Sequence, residues 1–188
     1  MYWLGACAGR HAVDGISPLR APKGVIVDDR VETYPVVGSD KASMRVQLVV
    51  PGSSPSEHMV GSHMQNISWT YEVRETAGHC RIQHATINLT SVITLPEWTP
   101  PRGVDAGLIA HWAQFRKAVA VHELGHRRFA YEGAGRIRRA LERIPMQPCD
   151  QLASAARTAV EPLLAALDRE QQRYDAKTVS GKTQGTIW

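Results

Sequence analysis

Residues 122–126 read His-Glu-Leu-Gly-His. On a helix, His122 and His126 stand one turn apart on the same face, so two imidazole nitrogens can reach one zinc ion. Glu123 then sits beside the metal, placed to take a proton from water and return it to a leaving amine. Zinc brings the pKa of water from near 16 to about 7 and polarises a scissile carbonyl. This chemistry asks for two neutral imidazoles, one carboxylate and an open coordination position. The bare pattern arises by chance in about one chain of this size in a hundred, so its surroundings carry the weight.

Those surroundings predict a helix. Leu108, Trp112, Phe115, Val119, His122, His126 and Phe129 recur at steps of three and four, one apolar stripe. Asp105 is the expected N-cap, and Ile137, Leu141 and Ile144 continue the stripe toward Pro145 across Gly133 and Gly135. Two histidines on that stripe with a glutamate between them would leave polar atoms to satisfy in the core, which a metal does. Asp150 is the expected cap of a second helix, with Leu152, Ala156, Ala159, Leu163, Leu167, Glu170 and Tyr174 facing inward and Pro162 interrupting it.

A third protein ligand has to come from elsewhere. An antiparallel hairpin turning near Met146 sets residue 124 opposite residue 168 or so, close to Glu170. Glu170 is on the inward stripe, an expensive place for an unpaired carboxylate, and is the expected third ligand. Asp175, at the helix end beside Tyr174, is the alternative, and Tyr174 is a candidate donor to an oxyanion. His58, His63, His79, His84 and His111 show no ligand spacing and read as ordinary surface or core residues. Arg127, Arg128, Arg136, Arg138, Arg139 and Arg143 make the second half of the first helix basic. They read as a solvated face, or as one meeting anionic lipid or an acidic wall polymer.

Period-two patterns precede the helices: Met44 to Val50, Ile67 to Val73 and Ala85 to Leu89 alternate apolar with polar residues. Turn-forming stretches at Pro51–Pro55 and Thr76–His79 separate them, the second short enough for a hairpin. The expected class is α+β: an N-terminal antiparallel sheet of three to four strands, then a helical hairpin whose first helix carries the histidines, as in zincins. Residues 1–22 read as a leader or flexible arm and 23–188 as one domain.

The chain has 188 residues, 43% hydrophobic and 21% charged, ordinary for a globular protein and against wholesale disorder. A net charge of +4 is too mild to imply a nucleic-acid partner, and none is expected. Cys7, Cys80 and Cys149 form no CxxC pair, which argues against a zinc ribbon. Leu4-Gly5-Ala6-Cys7 matches a bacterial lipobox, although the residues before it lack the charged region and apolar length of a signal peptide. Either Cys7 carries lipid and attaches the protein to a membrane, leaving Cys80 and Cys149 to pair in an oxidising compartment, or all three are reduced and buried.

Taken together, Tyr34-Pro35-Val36-Val37-Gly38, Trp69-Thr70-Tyr71, Cys80, Leu95-Pro96-Glu97-Trp98, His122 to His126, Cys149 and Tyr174-Asp175-Ala176-Lys177-Thr178 resemble a bacterial family of formerly unknown function. That family is described as predicted secreted zinc-dependent proteases of the HExxH clan, and the resemblance runs over most of residues 31–187. It implies an exported protein, periplasmic or secreted, that binds zinc at His122 and His126 and uses Glu123 as general base on a peptide or protein substrate. It also favours a Cys80–Cys149 bridge. One departure stands out. The family pattern has a histidine before a glycine shortly after the Tyr-Asp pair, and this chain has Ser180 before Gly181. If that histidine is the usual third ligand, Asp175 or Glu170 replaces it, or metal binding is impaired.

Three functions follow as expectations. The first is a zinc metallopeptidase. The second is an exported non-catalytic module that binds zinc or peptide. The third is an intracellular protease acting on DNA-associated proteins, which the strand-first layout and the missing zinc ribbon disfavour.

Overall fold

The computed structural model describes residues 19–53 and 59–188. The lipobox with Cys7, most of the expected leader, and His58 lie outside the described residues.

Strand β1 (Val25–Val36) is followed by a short helix α1 (Lys41–Arg45). Strands β2 (Ser62–Thr76) and β3 (His79–Trp98) then form a long hairpin. Its two-residue turn is Ala77-Gly78, with φ of 50° and 76°. Positive φ at both positions gives the strands the twist they need, and the second residue is a glycine that tolerates it. The sheet order is β1-β3-β2, and a two-residue strand β4 (Gln147–Pro148) pairs with the start of β3. The fold is α+β as expected, but β1 runs parallel to β3, so the sheet is mixed rather than wholly antiparallel.

Two local expectations are corrected. Residues 44–50 are not a strand. Asp40 accepts hydrogen bonds from the backbone of Ala42 and Ser43 at 2.9 Å, and this cap starts α1 instead. Met44 and Leu48, four apart, are buried, whereas Val46 is exposed. Asp150 does not cap the last helix either. It lies in a 3-10 turn, Cys149–Gln151, that leads into α3 (Leu152–Thr178). Pro162 is inside α3 without ending it, because it faces solvent, where water can take the orphaned carbonyl.

Helix α2 (Ala106–Glu142) begins at Asp105, which accepts from Leu108 N at 3.0 Å, and crosses one face of the sheet. Its apolar stripe is divided. Leu108, Trp112, Phe115 and Val119 pack with Ile93, Leu95, Trp98 and Met44. Ala130, Ala134, Ile137 and Leu141 pack with Ile87, Leu89, Ile82 and with Leu152, Ala156 and Val160 of α3. Each buried Leu or Ile contributes about 2 kcal/mol. These two clusters hold the helix straight through the polar turn between them, which is the turn bearing His122, Glu123 and His126. Gly133 allows α3 to approach: a Cβ there would lie 2.9 Å from Leu167 Cδ2.

The arginines of α2 are not a uniformly solvated face. Arg127 is buried against Asp29, Arg136 pairs with Glu170, and Arg138 pairs with Glu142. Among the described residues, no helix is long and apolar enough to cross a membrane.

Cys80 and Cys149 form a disulfide across 69 residues, consistent with an oxidising compartment. It ties β3 to the residues that launch α3. Replacing both cysteines by serine should lower unfolding stability by roughly 4 kcal/mol on loop-closure grounds. Denaturant unfolding of the two proteins measures it, and equal midpoints would mean the bridge adds nothing.

Candidate metal centre

Three electron-pair donors converge beside α2. His122 Nε2 and His126 Nε2 are 3.2 Å apart. Asp175 Oδ1, from the last turn of α3, is 3.2 Å from the first and 3.0 Å from the second. Tetrahedral ligand atoms about 2.0 Å from a zinc ion stand roughly 3.3 Å from one another, so this triangle is the right size for such an ion.

The hydrogen-bond partners on the far sides of the rings decide what the near sides offer. Gln171 Nε2 donates to the His126 carbonyl and to Gln65 Oε1, both at 3.2 Å, which turns Gln171 Oε1 toward His126 Nδ1 at 2.6 Å. Gln184 Nε2 donates to Tyr174 Oη at 3.1 Å, and its Oε1 is 2.9 Å from His122 Nδ1. Amide oxygens only accept, so both rings carry their proton on Nδ1, and both Nε2 atoms present lone pairs to Asp175 and to each other. Burial, ahead of the other influences, holds the His122 pKa below its ordinary value, which favours the neutral ring.

Geometry separates the two candidates for the third ligand. The hairpin turns through Gln147–Gln151, later than Met146, so the α3 residues that meet His126 are Gln171 and Asp175. Glu170 is turned to Arg136, whose Nη1 donates at 2.9 Å and whose charge draws the Glu170 pKa down. Asp175, the alternative, is the carboxylate that reaches the histidines. Ser180 lines the same pocket without joining the triangle. Tyr174 is not aimed at the pocket as an oxyanion donor would be. Its ring stacks on His122 at 5.1 Å with planes 13° apart, and its hydroxyl is engaged with Gln184. The glycine inside the motif makes room for this, since a Cβ on Gly125 would lie 2.2 Å from Tyr174 Oη.

Glu123 is 4% exposed and opens onto a cavity of about 690 Å³ shared with His122, His126 and Asp175. Burial, and then the Asp175 charge, push its carboxyl up to about 8. A cation between the histidines would act in the opposite direction. Gly61, at the approach to β2, lies against it: a Cβ there would be 2.9 Å from Glu123 Oε1 and 2.4 Å from Val119 Cγ1. Ser62, His63 and Gln65 of β2 form one wall, and Ser180, Lys182 and Thr186 of the C-terminal segment form another. Three participants were not read from the sequence: Gln171, Gln184 and His63. Gln171, four residues before Asp175 on α3, could have been found from its spacing once Asp175 was chosen. The other two meet the centre only through tertiary folding.

Two outcomes are expected. Gly125→Ala should destabilise by about 1–3 kcal/mol through overpacking against Tyr174. In a Tyr174→Ala background the same change should be neutral or stabilising, by up to about 1 kcal/mol of helix propensity. Thermal unfolding of the four proteins checks this. The second outcome concerns pH. Burial holds the His63 pKa down to about 4, against 6.5 for the free side chain. The unfolded chain therefore takes up that proton first, and the stability tied to neutral His63 is complete above pH 6.5 and lost as pH falls toward 4. His63→Asn should flatten this part of the stability profile.

No curated protein and no solved structure matches the chain. The family described as "Bacterial protein of unknown function (DUF922)" matches residues 31–182, which takes in most of the sheet, all of α2 and α3, and every member of the triangle. The chain belongs to that family.

Proposed function

We propose that the protein is an exported zinc-dependent metallopeptidase. One observation carries the reading: two Nε2 lone pairs and a carboxylate oxygen lie within 3.2 Å of one another with both ring protons committed elsewhere. Such an arrangement is repulsive until a cation enters it. Nitrogen and carboxylate donors in threes, with room for a fourth ligand, suit zinc. His122, His126 and Asp175 would hold the ion, which would supply Lewis-acid polarisation of a carbonyl and acidify water.

The chain's own residues account for the rest. Glu123 shares the cavity and, among the described residues, is the only other carboxyl in its lining, so it is the group placed to accept a proton from water and pass it to the leaving nitrogen. Strand β2 is an edge of the sheet whose first residues wall the cavity, so an extended peptide can add to it by backbone hydrogen bonds and cross the centre. The Cys80–Cys149 disulfide supports an exported protein.

A second reading, an exported module that binds zinc or peptide without cutting, rests on Ser180 standing where the family resemblance has a histidine. The two separate cleanly. Purified protein given zinc should hold one ion per chain by elemental analysis and cleave a casein-derived peptide pool. Glu123→Gln should retain the zinc and lose cleavage by at least about a hundredfold. Asp175→Ala should lose most of the zinc. Zinc binding without cleavage in the parent protein would favour the second reading, and no zinc uptake would sink the first.

A further inference from the structure

The first residues of β2 carry a side chain that the reading above leaves unused. His63 lines the cavity, and its Nε2 is 3.2 Å from Ser91 Oγ on β3. Ser91 is wholly buried, and its Oγ is 2.9 Å from Asp29 Oδ1 on β1. The other Asp29 oxygen receives Arg127 Nη1 at 2.9 Å and Tyr131 Oη at 3.0 Å, both from the turns of α2 just after His126. A serine has one hydroxyl hydrogen. Asp29, already receiving two donors, accepts it, so Ser91 Oγ must itself accept from His63, and the His63 proton is on Nε2. That leaves a lone pair on Nδ1. No described residue hydrogen-bonds this atom, and it is not among the sealed polar atoms of the interior, so it is reachable from the cavity.

Side chains from β1, β3 and α2 therefore combine to orient one ring on β2. Its neighbour on the same strand face, Gln65, also lines the cavity and is tied through Gln171 to His126. The imidazole and the triangle are thus fixed to each other through two separate polar chains. Burial keeps His63 neutral down to about 4, so at working pH the exposed nitrogen is an acceptor and not a donor.

We propose that His63 is a substrate-contacting residue: a neutral imidazole locked in the Nε2–H tautomer, whose Nδ1 accepts a hydrogen bond from a backbone N–H of the bound peptide. This rests on the peptidase reading and adds to it an acceptor on the β2 wall. A peptide amide has the N–H that such an acceptor recognises, and an ester or an N-methylated amide does not.

The test uses the zinc-loaded protein. Long-range nitrogen NMR should find the His63 proton on Nε2. His63→Phe, at parental zinc content, should lower kcat/KM on a cleaved casein-derived peptide about tenfold, the worth of one hydrogen bond in a desolvated site. N-methylation of the peptide, scanned one backbone position at a time, should at one position cost the parent a similar factor and cost His63→Phe nothing further. A purely structural role would not remove that sensitivity. Should His63→Phe fail to fold, Ser91→Ala, which keeps the ring but frees its tautomer, replaces it in the same comparison. A proton on Nδ1, or a variant as sensitive to N-methylation as the parent, overturns the proposal. If the zinc-loaded parent cleaves no peptide, the peptidase reading fails separately. His63 is then decided by its Nδ1 resonance on addition of acetyl-tetraalanine amide: movement supports the contact, and an unmoved signal overturns it.

Discussion

Two imidazole nitrogens and a carboxylate oxygen held within 3.2 Å of one another are the constraint around which this site is arranged. Gln184 and Gln171 engage the Nδ1 atoms on the far sides of the rings, which holds both Nε2 atoms toward Asp175. The triangle keeps its size only if the rings cannot swing away. That requires a helix continuous through residues 122–126, a second helix at the depth where Gln171 and Asp175 meet His126, and a C-terminal segment that returns to deliver Gln184. The two apolar clusters on either side of the polar turn meet the first requirement. Close approach at Gly133 and Gly125, together with the disulfide at the start of α3, meets the second.

The third is met at the end of the chain. After α3, Val179, Ser180 and Gly181 all take positive φ, which reverses the chain sharply back toward His122. A Cβ on Gly181 would be 3.1 Å from His122 Cγ, so the turn passes close to the ring and leaves no room for a side chain there. Beyond Gln184, Trp188 packs against His111, Trp112 and Phe115, and its indole donates to the Lys41 carbonyl at 3.0 Å. The segment bearing Gln184 is pinned on both sides. The two rings are oriented by contacts between residues 62 and 45 positions apart, so the centre reports on the whole fold rather than on α2 alone.

What the sequence made legible follows from the range of the interactions involved. Helix α2, its Asp105 cap and the β2–β3 hairpin are periodic and local, and they lie where periodicity places them. Strand β1 was not legible. Asp28, Asp29 and Arg30 break its alternation, and Asp29 points inward because Ser91, Arg127 and Tyr131 are there to receive it. The choice between Glu170 and Asp175 turned on four or five residues of hairpin length, taken up by β4 and a 3-10 turn that carry no periodic signal. His63 looked like a scattered histidine because its partner, Ser91, is set by strand pairing across the hairpin, twenty-eight positions away.

Charge also links Asp175 to Glu123. Burial first, and then the nearby Asp175 carboxylate, raise the Glu123 pKa. Both influences favour the protonated Glu123 carboxyl, and a cation held by His122, His126 and Asp175 would oppose that shift. Asp175 is therefore placed to link the triangle to Glu123: under the metallopeptidase reading, an ion held by His122, His126 and Asp175 would favour the ionised Glu123 that the proposed base role needs.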